Sequence, residues 1–264
     1  MKQRIISGAI IAVTTLLLVL IGSFIFKAFC LFIAAWGSYE FVSARDKKIN
    51  WIEYFCMLIF TLLTNIFFDK AIGFVITLVI VLIAYAIFDE DETIEDITIT
   101  LLESIVLGFG IHYLIEIEDL SKPLMGFAII IPYVTDVCAL FTGMYFGKHK
   151  LNERVSPKKT IEGAIGGWAG GAIVSFLYAL LFKFFYMSPI FIGLCSLVLP
   201  IVSQIGDLAF SLIKRHFGIK DFSDLIPGHG GLLDRLDSLI FVVLVYGALA
   251  TIIGIYWLWK NYYY

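Results

Sequence analysis

Residues 203–238, SQIGDLAFSLIKRHFGIKDFSDLIPGHGGLLDRLDS, gather five carboxylates: Asp207, Asp221, Asp224, Asp234 and Asp237. Four bases (Lys214, Arg215, Lys220 and Arg235) and two of the four histidines (His216 and His229) lie among them. Asp207 sits in an apolar run, where an unpaired charge costs several kcal/mol, so it needs a cation, whether a basic side chain or a metal. Ser211 and Lys214 follow at offsets of four and seven, near one helical face, and Asp234 and Asp237 share a face at i, i+3. The turn PGHGG (227–231) lets backbone amides approach a ligand closely. Asp234 then falls in the first turn of the next helix, where negative charge is favoured. Carboxylate oxygens suit Mg²⁺, and Lys and Arg beside them suit a polyphosphate. The alternative is a charged helix-end cluster that pairs only within itself.

A second segment, GKHKLNERVSPKKTIEG (147–163), is dense in bases. Ser156-Pro157 is expected to open a helix with Lys158, Lys159 and Thr160 in its first turn. Lysines there oppose the helix dipole, which makes sense if an anion docks on the free amides. An anchor to anionic lipid explains them equally well. Asp136 interrupts another apolar run and is either functional or a helix-pairing group. Glu40, in WGSYEF, reads more as a structural or interfacial residue, and Glu103 and His112 as packing or pairing residues.

The elements that position these groups follow from composition. Of 264 residues, 60% are hydrophobic and only 16% charged, against about 25% charged in a soluble domain. Mean hydropathy is +0.94. So much apolar surface excludes a soluble globule, a disordered chain and a disulfide scaffold. Continuous rather than alternating apolar runs argue against a β-barrel. The expectation is an all-α, polytopic integral membrane protein of about nine transmembrane helices. They fall near 5–22, 25–44, 52–68, 71–88, 98–116, 124–146, 163–185, 188–212 and 236–259. The first is read as a retained span rather than a signal peptide.

With the N-terminus cytoplasmic and the C-terminus outside, the cytoplasmic segments hold Lys2, Arg4, Arg45, Lys47, Lys48, Lys148, Lys150, Arg154, Lys158, Lys159, Lys214, Arg215, Lys220 and Arg235. That is 14 of the 19 basic residues, the asymmetry that sets topology. Lys27, Lys70, Lys122, Lys183 and Lys260 are left for the other side. The acidic run DEDETIED (89–96) reads as a solvated connector. Cys30, Cys56, Cys138 and Cys195 stand singly in apolar runs, as small core residues do. The chain is expected to form one transmembrane domain over 1–264, with N-terminal helices over 1–122 and catalytic helices over 123–264. The latter carry cytoplasmic loops 147–162 and 213–235.

The run SLIKRHFGIKDFSDLIPGHGGLLDRLD (211–237) resembles the signature of the phosphatidate cytidylyltransferases, or CDP-diacylglycerol synthases. It matches at Ser211, Lys214, Arg215, Lys220, Asp221, Pro227, His229, Gly230, Gly231, Asp234, Arg235 and Asp237. SPKKTIEG, Asp136 and the N-terminal RIISGAI resemble family elements as well. The order Val137-Cys138-Ala139-Leu140 departs from the small residues and aromatic that members often carry there.

The resemblance implies a reaction of CTP with phosphatidate giving CDP-diacylglycerol and pyrophosphate, and it implies Mg²⁺, with a second cation such as K⁺. It implies Asp207 and Asp234 as metal ligands, with Asp221 and Asp237 as further ligands or supports. Lys214 and Arg215 join Asp207, Asp234 and Asp237 as catalytic residues. Ser156, Lys158, Lys159, Lys220, His229, Gly230, Gly231, Arg235 and Asp136 are the expected substrate-binding residues. The partners are CTP, the phosphatidate lipid and the bilayer, with no nucleic acid and with room for a homodimer. The site is expected to face the cytoplasm from the cell's inner membrane.

Three rival readings remain. A transporter would use Asp136, Asp207 and Glu40 as an ion path. A CDP-alcohol phosphotransferase would carry a D-x-x-D-G motif, but Ser238 follows DRLD here. A lipid-binding scaffold would tolerate loss of the acids.

Overall fold

The computed structural model describes residues 23–45, 49–182, 184, 188–226, 228 and 230–252. The first expected span (5–22), the bases Lys2, Arg4, Lys47, Lys48, Lys183 and Lys260, the end of the last span, and Pro227 and His229 lie outside these residues.

The chain divides into two compact units, Met1–Asp119 with Ile213–Leu236, and Leu120–Leu212 with Asp237–Tyr264. In the first unit, helices α1 (Ser23–Arg45), α2 (Trp51–Ile66), α3 (Ala71–Phe88) and α4 (Ile94–Leu120) follow one another, with a 3₁₀ turn at Phe68–Lys70. Two of these helices, α2 and α4, start on side-chain caps. Asn50 Oδ1 accepts from the amides of Ile52 and Glu53. Thr93 and Asp96 cap each other's amides at the start of α4. Arg45 donates to Glu53 at 2.6 Å and Glu92 at 2.7 Å, and Asn50 also reaches Glu92 and Tyr85. This buried network ties three helix ends together. Phe60, Leu78, Leu82 and Ile97 form the apolar core between α2, α3 and α4.

The second unit opens with α5 (Lys122–Phe146), followed by strands β1 (Lys150–Asn152) and β2 (Ser156–Thr160) and helix α6 (Ile161–Leu181). Helix α7 (Pro189–His216) crosses into the first unit by chain, and α8 (Leu233–Ile252) crosses back. Gly163, Gly167 and Gly171 line one buried face of α6. A Cβ on Gly167 would fall 2.8 Å from both Ala139 Cβ and the Thr135 carbonyl oxygen, so α5 and α6 touch backbone to backbone. Such small-residue contacts are how helices associate where no hydrophobic effect drives them together.

Seven of the described helical segments are long and apolar enough to cross a membrane, and many of their large apolar side chains, such as Ile72, Ile80 and Leu181, are exposed. The protein is helical and polytopic. Where a span was expected over 52–68, α2 has 16 residues, about 24 Å of helix against a hydrocarbon core of about 30 Å. Among the described residues Cys30, Cys56, Cys138 and Cys195 are free, the first and last fully buried.

Candidate active site

One structural expectation is overturned. Ser156–Thr160 is not a first helical turn but a strand, paired antiparallel with β1 (Lys150 opposite Thr160, Asn152 opposite Ser156). Local hydrogen bonds decide this. Asn152 Oδ1 takes the amides of Arg154 and Val155 and closes the turn. Thr160 is the N-cap of α6, its hydroxyl accepting from the Gly163 amide, and the first turn carries Glu162 instead of lysines. Glu162 Oε2 also accepts from the amides of Lys148 and His149. The lysines therefore escape the unfavourable dipole.

On a strand, neighbouring side chains point to opposite faces. Lys158 is exposed, whereas Lys159 pairs with Asp207 Oδ2 from α7. Asp207 Oδ1 lies 3.4 Å from the Ser211 hydroxyl, one turn on. The cation required by an acid in an apolar helix is thus a lysine 48 positions away. This pair is about three-quarters buried, with side-chain exposures of 30% and 25%.

Asp234 stands in the first turn of α8 as expected. Its Oδ1 receives the Lys214 ammonium, and the two side chains are 8% and 1% exposed. Its Oδ2 accepts the amides of Phe222 at 2.8 Å and Gly231 at 2.9 Å. The 217–232 connection is therefore wrapped around one carboxylate, and the Gly231 amide points at Asp234. Gly230, at φ +79°, closes this turn, its carbonyl accepting from Ile226. A Cβ on Gly230 would fall 2.8 Å from Asp234 Oδ2. Lys214 also lies over the Phe222 ring.

Around this pair, Arg215 donates to the Ile219 carbonyl and Lys220 lies 3.5 Å from Asp221. Arg235 is exposed, and Asp237 is buried in α8 with Oδ1 on the Ser238 amide. Asp136 is exposed on α5. His112 stacks on Phe68 with ring centroids 3.7 Å apart and pairs with Glu116, the packing role its position suggested.

A divalent cation fits these acids by chemistry. Both are hard oxygen donors, and each already grips an ammonium ion as a stand-in cation. Among the described residues no group of three or more His, Cys, Asp and Glu side chains forms a cage. Mg²⁺ does not need one, since it commonly takes one or two carboxylates and completes its shell with water and substrate phosphates.

Helices long and apolar enough to span a membrane, with a lysine–aspartate pair in each unit and a glycine turn closed on the Asp234 carboxylate, place the chain in the class of helical, polytopic proteins. The sequence model of the Cytidylyltransferase family matches residues 2–253, and the chain belongs to that family. A phosphatidate cytidylyltransferase of Bacillus subtilis (strain 168) is 33% identical over 262 residues, covering 92% of this chain and 95% of its own. A phosphatidate cytidylyltransferase of Staphylococcus saprophyticus is 34% identical over 66% of this chain and 67% of its own. One from Staphylococcus aureus (strain COL) is 37% identical over 62% and 63%.

Proposed function

We propose that this protein is a CTP:phosphatidate cytidylyltransferase that makes CDP-diacylglycerol for phospholipid synthesis. The observation that carries the reading is the Asp234 constellation: a buried acid paired with a lysine and closed in by a glycine turn, in the segment whose signature matches the family. A phosphate oxygen of phosphatidate attacks the α-phosphorus of CTP in line. The bond from that phosphorus to the bridging oxygen breaks, and pyrophosphate leaves with the electron pair. No covalent enzyme intermediate is needed, because the substrate phosphate is itself the nucleophile.

Phosphoryl chemistry of this kind rests on positioning and charge neutralisation. Asp207 and Asp234 are the proposed cation ligands, supported by Asp221 and Asp237. Mg²⁺, with a second cation such as K⁺, supplies charge neutralisation at the phosphate oxygens when bound. Lys214, Arg215, Lys220 and Arg235 bind phosphates, and Lys158 and Lys159 hold CTP or the lipid head group. Ser156, Asp136, His229, Gly230 and Gly231 are the other proposed substrate-binding residues. The partners are CTP, phosphatidate and the bilayer, without nucleic acid, and a homodimer is admitted. The nine-span arrangement with a cytoplasmic N-terminus turns loops 147–162 and 213–235 toward the CTP pool, in the inner membrane.

The test is detergent-purified protein given labelled CTP, phosphatidate and Mg²⁺, with lipid-soluble label counted. Label should appear in the lipid phase and vanish with EDTA. No transfer from CTP, with ion flux through sealed vesicles instead, would establish the transporter reading.

A further inference from the structure

Glu40 is the second carboxylate around which the 217–232 connection folds. It lies on α1, 183 positions before Ser223, and is 1% exposed. Its Oε1 accepts from Trp36 Nε1 at 3.0 Å, the Ser223 hydroxyl at 2.6 Å and the Leu232 amide at 2.9 Å. Its Oε2 accepts from the Leu233 amide at 2.9 Å. All four donors are neutral. The Leu232 and Leu233 amides are those that the start of α8 leaves without helical partners, so Glu40 caps α8 from another helix. A carboxylate there also meets the positive end of the dipole.

The four amides of Phe222, Gly231, Leu232 and Leu233 thus divide between two acids, Asp234 inside the turn and Glu40 outside it. A Cβ on Gly231 would fall 2.7 Å from Glu40 Oε2. Gly231 is therefore the residue that lets the carboxylate close on the chain. Without Glu40 the turn keeps only its inner clasp.

We propose that Glu40 is a positioning residue for nucleotide binding. It holds residues 221–233 against α1, so that Asp234 and the cations beside it are set before a nucleoside triphosphate arrives. This rests on the cytidylyltransferase reading above, and it assigns to an N-terminal helix a part in the site that the motif residues alone do not contain.

Glu40→Gln keeps one acceptor oxygen and turns the other position into a donor, leaving at least one amide facing an N–H group. If the ordered turn falls to about a tenth of the population, the apparent KM for CTP rises about tenfold, because affinity scales with the competent fraction. The kcat should stay within about threefold, and the KM for phosphatidate should not move. A merely structural role would instead lower the melting temperature and the active fraction, and leave the KM for CTP unchanged.

Ser223→Ala removes one bond and should raise the KM for CTP about two- to threefold, which keeps the test alive if Glu40→Gln does not insert. Trypsin cleavage after Lys220 reads the loop without substrate, and it should be clearly faster in Glu40→Gln than in the wild type. Inactive wild-type protein would overturn the cytidylyltransferase reading while leaving this arm to be read. An unchanged KM for CTP in Ser223→Ala, or a loop cut at the wild-type rate in Glu40→Gln, overturns the positioning role.

Discussion

Two aspartates of the same type and the same proposed duty should answer differently to the same change. Asp234 is 1% exposed in its side chain and satisfies Lys214 and two amides, whereas Asp207 is 25% exposed and holds Lys159 and Ser211. Asn at 234 can still accept from the amides, but it sets an NH₂ group against the buried ammonium. Orphaning a fully buried charge costs about 3–5 kcal/mol, and the cost falls where solvent reaches and screens the pair. Asp234→Asn should therefore lose both CTP-dependent turnover and several degrees of thermal stability in detergent. Asp207→Asn, at a pair a quarter to a third open to solvent, should lose turnover with a smaller fall in melting temperature. Equal melting shifts would contradict the burial argument, and near-normal turnover in either variant would remove that acid from the cation assignment. Asp207 was legible in the sequence because charge in an apolar run is costly, and Asp234 because it follows the PGHGG turn into the first turn of a helix. Their partners were not, since Lys159 is 48 positions from Asp207 and Glu40 is 183 from Ser223. WGSYEF carries no local sign that Glu40 caps a helix near the other end of the chain.

At the scale of elements, the spans were legible because about 20 apolar residues have few other uses. The hairpin at 150–160 was not, since its strands are short and only two short-range signals mark it. Asn152 was placed to close a turn, and Thr160 to cap α6 with Gly163 three residues on. The packing of α5 on α6 was equally readable from Gly163-x₃-Gly167-x₃-Gly171, a small-residue spacing that brings helices to close approach. It predicts a contrast between two glycines in helices. Gly167→Ala puts a Cβ 2.8 Å from the Thr135 carbonyl oxygen, while a Cβ on Gly193 in α7 meets nothing within 4 Å. Overpacking costs about 1–3 kcal/mol, and Gly-to-Ala in an open helix interior returns up to about 1 kcal/mol. Gly167→Ala should lower the melting temperature, and Gly193→Ala should hold or raise it. The same direction for both would mean that the α5–α6 contact is not tight.

For the whole molecule, charge placement argues for one orientation. On the expected nine-span arrangement, fourteen of the 19 bases gather on alternate connections, and moving them outward would oppose the bias that sets topology. Helix length alone cannot decide the orientation, because α2 has 16 residues and the first expected span lies outside the described helices. The face on which the chain emerges at two points tests it. The connection 89–96 and the start of α5 at Lys122 are joined by α4, whose 27 residues give about 40 Å of helix, enough to cross. They must then emerge on opposite faces. In a variant with Cys30, Cys56, Cys138 and Cys195 replaced by serine or alanine, a single cysteine at Asp91 should react with an impermeant maleimide only from the cytoplasmic side. One at Lys122 should react only from outside. The reverse pattern would turn loops 147–162 and 213–235 away from CTP and so remove the substrate from the proposed site. Labelling of both from one face would mean that α4 does not cross at all.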